Sequence, residues 1–381
     1  MHIRESLAQR ETSSPAPRRE TMTAWRKTLT IAMLLAGATG IGVAQDHDRD
    51  AAFLPNPVTT VSTTPANGDQ NPYGVAFVPH NFPTGSGPLK HGDILVSNFN
   101  NGLNLQGTGT TIVRVPAGGS PTVFFQGNAG LGLSTALGTL HYGFVVVGNA
   151  PTTDGTSAAA QPGSLLVINN QGNLVQTITD ASIQYPWDMA LIDEGNQAIA
   201  FVTNALTGTV SRLTFKVSSS GLKLLSAKII ASGYVHRGDP VALFVAPTGL
   251  VYDVRRDLLY VASTGDNAVF AIPDPVTRTS DGGTGFIVYQ DDVHLHGALA
   301  LEAAPNGHLL VSNNDTVNPD PNQTSEIVES TKEGRFVKEI SVDPNPGGSF
   351  GMAVKVAGEK AIFAAVDDNT ASLIIWTLDP D

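Results

Sequence analysis

Asp188 and Asp239, taken with Asn204 and Asn313, form a set of hard oxygen donors in this 381-residue chain. Carboxylates and carboxamides of this kind suit Ca2+. A metal held by them could polarise a carbonyl while Asp188 or Asp239 activates water, which is the chemistry of a hydrolase. A second set is nitrogenous: His236, His294 and His296 are neutral imidazoles of the type that hold Zn2+. His294 and His296 stand two residues apart, so an extended segment would send them to opposite sides. A third set needs no metal. Tyr73, Trp187, His236, Arg237 and His296 offer aromatic and polar surface to a ligand. Against all three stands a plainer role, in which Asn and Asp cap turns by bonding to nearby backbone N–H groups. The chain has no cysteine, and it shows no phosphate-binding glycine loop and no serine elbow.

Whether these residues meet depends on the elements that carry them. A buried strand ending on a polar residue recurs through the chain as "GDILVSNFNNG", "FVVVGNAPTTDG", "AIAFVTNALTG", "LLYVASTGDN" and "HLLVSNNDT". The terminal residues are Asn98, Asn149, Asn204, Ser263, Asn313 and Asp367, spaced 50 to 59 residues apart. An apolar stretch precedes each one: "YGVAFVP", "STALGTL", "WDMALI", "PVALFVA", "HGALALEA" and "FGMAVKV". Two further stretches follow, for example "TIVRVP" with "TVFFQG". Each repeat therefore reads as four short strands joined by Gly, Pro and Asn turns, the blade of a β-propeller. Six blades account for residues 45–381 as one all-β domain. The last repeat supplies three strands, and "NPVTTVSTTP" (56–65) is available as its fourth, which would close the ring and remove a free edge.

In such a ring the innermost strands line a central channel, and the loops leading into them share one face. Those loops are "NPYG" (71–74), "QYPWD" (184–188), "HRGDP" (236–240), "HLHG" (294–297) and "GGSFG" (347–351). They would bring Tyr73, Trp187, Asp188, His236, Arg237, Asp239, His294 and His296 to one channel mouth. Long loops such as 100–110 and 149–163 would overhang it, where specificity resides on a rigid scaffold.

The runs "NPYGVAFVP", "GDILVSNFNNG" and "TTIVRVPAGGSPTVFF" resemble NHL-repeat propellers and the wider six-bladed group. That group includes gluconolactonase-like lactonases, strictosidine-synthase-like proteins and peptidyl-hydroxyglycine lyases. The pairs "YPWDMAL" with "AFVTNALTGTVSRL", and "LHGALAL" with "HLLVSNN", repeat the pattern, and the resemblance spans residues 56–381. It implies a six-bladed fold. For the lactonases it implies a channel metal held by a Glu and an Asp with asparagines beside them. Here Tyr73 stands where that Glu would open the first blade, so the lactonase donor set is incomplete. The architecture hosts many unrelated activities.

The apolar fraction is 41% and the mean hydropathy +0.02, values that suit a folded domain with a sizeable core. "TAWRKTLTIAMLLAGATGIGVAQ" has a basic start and a short apolar run, with Gly42 and Ala44 at a small-residue cleavage site. It reads as a signal peptide over 22–44, too short for a membrane anchor, and implies a secreted or periplasmic protein. Residues 1–21 carry no fold pattern, which makes Met22 as plausible a start as Met1. The net charge of −12 disfavours nucleic acid and anionic membranes as partners. The expected protein is an exported, monomeric module that binds a small molecule, a glycan or a peptide at the channel mouth. A metal-dependent hydrolase of the lactonase type is the alternative.

Overall fold

The computed structural model describes residues 52–54, 59–85, 87–314 and 316–378. The expected extension 1–21 and signal segment 22–44 lie outside the described residues. Six four-stranded antiparallel sheets make up the domain. Their innermost strands are Gln70–Phe77, Leu133–Leu140, Pro186–Asp193, Pro247–Asp253, Ala298–Ala303 and Ser349–Ala357, defining blades 1 to 6. These six strands touch neighbour to neighbour around a closed cycle, with Ser349–Ala357 returning against Gln70–Phe77. The six-bladed propeller expected from the repeats is present. The sixth sheet takes its outermost strand from Thr59–Ser62, which runs antiparallel to Ser372–Leu378.

The recurrent second strands are buried because they sit in the middle of each blade. Ile94–Asn100 is buried at every position. Its side chains alternate in facing: Leu95 packs with Phe125, Leu137 and Val147 of the blade 2 side, whereas Ile94 and Val96 pack with Ala353, Ala364 and Val366 of blade 6. The hydrophobic core is thus a set of separate layers between adjacent blades. A further cluster lies under the mouth and draws Tyr73 and Phe99 from blade 1, Tyr185 and Trp187 from blade 3, Leu299 from blade 5, and Phe244 from the segment before blade 4.

Each innermost strand carries a register shift at the same place, between Pro72 and Val75 in blade 1 and between Pro186 and Met189 in blade 3, for example. The extra residue of a bulge loses its ladder partner. In blades 1, 3 and 5 a hydroxyl on the second strand replaces it. Ser97 Oγ accepts the Gly74 N–H at 2.9 Å and donates to Ser134 O of blade 2 at 2.8 Å. Thr203 Oγ1 accepts the Asp188 N–H at 3.0 Å and donates to Thr248 O of blade 4 at 2.7 Å. One side chain therefore satisfies the bulge and ties two blades together.

Blade 4 departs from the expected pattern. "PVALFVA" is not its first strand. Leu243–Val245 pairs instead with Arg237–Asp239 in a separate two-stranded hairpin, and the innermost strand begins at Pro247. The reason lies in the sequence just beyond: "PTGLVYD" meets blade 5 closely enough that a Cβ on Gly249 would lie 2.5 Å from Leu301 N. A residue without a side chain is required there, and only the second stretch supplies it.

Candidate functional site

The hairpin changes which residues form the mouth. A cavity of about 270 Å³ opens there, lined by Asn71, Tyr73, Asn100, Trp187, Phe350 and Asp368 among others. Its floor is aromatic. The Tyr73 ring stacks between Phe99 at 4.6 Å and Phe350 at 4.5 Å, and Trp187 tilts against it at 5.7 Å. The stack is possible because blades 1 and 6 approach without a side chain between them: a Cβ on Gly351 would lie 1.7 Å from Tyr73 O.

The walls are polar and include groups with unmet hydrogen bonds. Asn71, Asn100 and Trp187 are 7%, 2% and 2% exposed. Asn71 Oδ1, Asn100 Oδ1 and Trp187 Nε1 have no hydrogen-bond partner among the described residues. A buried polar atom left in this state costs about 1–3 kcal/mol. Backbone strain gathers at the same place. Asn71 (φ 59°), Tyr185 (φ 64°) and Leu243 (φ 63°) occupy the left-handed region, which for Tyr and Leu is costly.

Asp368 is the only Asp or Glu among the described residues of the lining. Burial, and then the neighbouring Asp367, push its carboxyl up to about 7. Burial also raises Tyr73, with Asp368 adding to the shift. The hairpin forms the roof. Val241 and Ala242 at its tip line the cavity, and Gln106 Nε2, reaching from blade 1, donates to Val241 O at 2.8 Å. Asp239 Oδ1 shapes the tip by accepting the N–H groups of Val241 and Ala242 at 2.8 and 2.9 Å.

Of the residues expected at the mouth, Tyr73 and Trp187 stand together in the cavity. The others are placed elsewhere. His236 and Arg237 are exposed at the base of the hairpin, with His236 Nδ1 at 3.0 Å from Tyr234 O. His296 is buried and its Nε2 meets Val293 O at 3.0 Å. His294 stacks on Phe336 at 3.6 Å and faces Glu339. The asparagines behave as caps. Asn204 Oδ1 accepts the Gln184 N–H at 2.8 Å and its Nδ2 donates to Ser211 Oγ at 2.8 Å. Asn313 Nδ2 donates to His294 O at 2.7 Å.

Asp188 faces the ring axis rather than the mouth. Its oxygens accept Met189 N–H at 2.7 Å and Leu250 N–H of the next blade at 2.9 Å. Glu302, which sequence reasoning passed over, repeats the arrangement in blade 5: it accepts Ala303 N–H at 2.7 Å and the backbone N–H of Val354. Both side chains keep some surface open, yet the enclosing protein raises each to about 7, and the charge of Asp188 adds to the effect on Glu302. The residues present do not fit the expected metal. Asp188, Asp239 and Asn204 spend side-chain oxygen on backbone N–H groups, Asn313 is held through its Nδ2, and no group of three His, Asp or Glu is placed to hold an ion among the described residues.

No protein-family model matches the chain, and no curated protein matches it in sequence. Solved structures do resemble it. An α-L-arabinanase from Penicillium chrysogenum, complexed with arabinobiose, is 12% identical at a TM-score of 0.52, covering 86% of this chain and 99% of that one. Regucalcin from Agrobacterium tumefaciens, a calcium-binding protein, is 12% identical at 0.49 over 81% and 90%. Virginiamycin B lyase from Staphylococcus aureus is 13% identical at 0.46 over 84% and 99%. Identities this low speak to fold alone, and the last two similarities are fainter still. The architecture implied by the resemblance to six-bladed propellers is therefore present, without an activity attached to it.

Proposed function

We propose that this chain is an exported binding module that holds a small molecule in the cavity at its channel mouth. The observation that carries this reading is one aromatic-floored cavity whose lining includes Asn71, Asn100 and Trp187, each with a buried polar atom that has no partner among the described residues. A concave site that joins aromatic surface to convergent polar groups is a usual form of small-molecule pocket, and here an aromatic floor meets walls of Asn, Gln, Thr and Asp. Strained backbone at Asn71, Tyr185 and Leu243 supports it, since strain persists where surrounding structure holds it for a purpose. The export half of the proposal rests on the basic-then-apolar segment at 22–44. A small-molecule screen reading Trp187 fluorescence would test the binding half. Compounds that shift the emission of the wild type but not of Trp187→Phe would support it. A broad screen that leaves Trp187 emission unmoved would reject it.

The lactonase-type alternative has one observation in its favour. Asp368, held near 7 inside the cavity, could exchange a proton with a bound ester or lactone. A lactone and ester screen compared between wild type and Asp368→Asn decides it. Turnover lost in the variant would place the protein among hydrolases, and absence of turnover leaves the binding module.

A further inference from the structure

We infer that the molecule held at the mouth is an uncharged, hydroxyl-rich ring: a free monosaccharide or a cyclic polyol. This rests on the binding reading above and narrows it to a chemical class. Charge is the first argument. Among its described residues the cavity lining contains no Lys, Arg or His. A charged anion buried there would find no positive side chain among them to offset the loss of its hydration.

Hydrogen bonding is the second argument. Asn71 Oδ1 and Asn100 Oδ1 require donors, whereas Trp187 Nε1 requires an acceptor. A hydroxyl is both. An ammonium group donates only and would leave the indole N–H unmet. Asn104, Gln106, Asn314 and Asn369 complete a rim of carboxamides around the cavity; each is engaged at one end of its amide within the protein, and a hydroxyl can pair with either kind of remaining end.

The aromatic floor is the third argument. A cation is attracted to an open ring face, but both faces of Tyr73 are covered, by Phe99 and Phe350 at interplanar angles of 22° and 27°. Phe350 is half-buried and borders the cavity. It offers apolar surface to the C–H face of a saturated ring rather than a cage for a cation. The volume of about 270 Å³ has room for a single saturated ring.

The test is calorimetric titration of the full chain with glucose, galactose, arabinose and myo-inositol, set against gluconate as the anion and choline as the cation. At least one uncharged compound should bind, and neither charged one. Binding should weaken about tenfold or more in Trp187→Phe, which keeps a ring and deletes the N–H. Asn71→Gly, which accepts the positive φ, should weaken it similarly. Unchanged melting temperatures in both variants would show that the loss is local. Choline or gluconate binding that still depends on Trp187, with no uncharged compound bound, would overturn the class and leave the site standing. Failure of the whole panel to bind overturns the inference itself.

Discussion

At the scale of single residues, the polar ends of the second strands divide into those that hold the fold and those that wait for something else. Asn204 belongs to the first kind. It is fully buried and joins the loop before blade 3 to the start of that blade's third strand. Asn204→Ala should therefore lower unfolding free energy by about 2 kcal/mol, because it strands the Gln184 N–H and Ser211 Oγ. Urea denaturation checks this, and a loss within experimental error would mean the cap is not needed. Asn100 belongs to the second kind, and it is joined there by Trp187 of the innermost strand of blade 3. Its indole N–H has no partner among the described residues, so Trp187→Phe should cost little beyond the change in ring size. The two kinds look alike in sequence. "VSNFN" and "AFVTN" both end on asparagine, and only the position of the facing loop separates a satisfied amide from an unsatisfied one.

Among the elements, the blades were legible because their period, alternation and turn residues all agree. The strand pairings follow from that agreement: a second strand apolar on both faces can only be interior to its sheet, flanked by other blades. The hairpin 237–245 was not legible. "PVALFVA" has the composition of an innermost strand, and nothing local shows that "PTGLVYD" is the better fit against Leu301. Misreading it placed His236, Arg237 and Asp239 at the mouth, whereas the structure gives that position to Val241 and Ala242. Asp368 and the carboxamides of the rim were missed for a related reason, since they come from loops whose course no periodicity constrains. The hairpin's role can be tested directly. Its tip is 76% exposed at Val241 and is latched to blade 1 through Gln106. Gln106→Ala should raise association and dissociation rates of a mouth ligand by a few-fold each, with less effect on Kd, because it frees the roof without touching the floor. Stopped-flow fluorescence of Trp187 reads both rates. Unaltered rates would show the hairpin to be a fixed wall.

For the molecule as a whole, the buried carboxyls set how stability varies with pH. Asp188, Glu302 and Asp368 are each raised to about 7, with burial the main cause in every case. An acid raised on folding binds its proton more tightly in the folded state than in the unfolded one. The unfolded chain then carries fewer protons between about pH 4 and pH 7, so stability falls as pH rises through that window and levels off above it. Carboxylates that are lowered on folding, such as Asp253 beside Lys332 and Asp291 beside Tyr289, act in the opposite sense. Their contribution is lost only as pH drops toward 4, which leaves the interval from pH 5 to pH 8 to the raised group. The urea midpoint should accordingly be higher at pH 5 than at pH 8. Changes in overall charge also act across this interval, so a variant is needed to separate them. Asp188→Asn with Glu302→Gln keeps the shape of both side chains and removes two of the three titrations. It should flatten the profile and gain roughly 2 kcal/mol at pH 8, allowing for screening by solvent along the ring axis. A double variant with the same pH slope as the wild type would show that these two carboxyls ionise freely. The ring axis would then be wet enough to hold two charges face to face, and the mouth cavity, not the channel below it, would be the one place where the fold keeps a carboxyl protonated near neutrality.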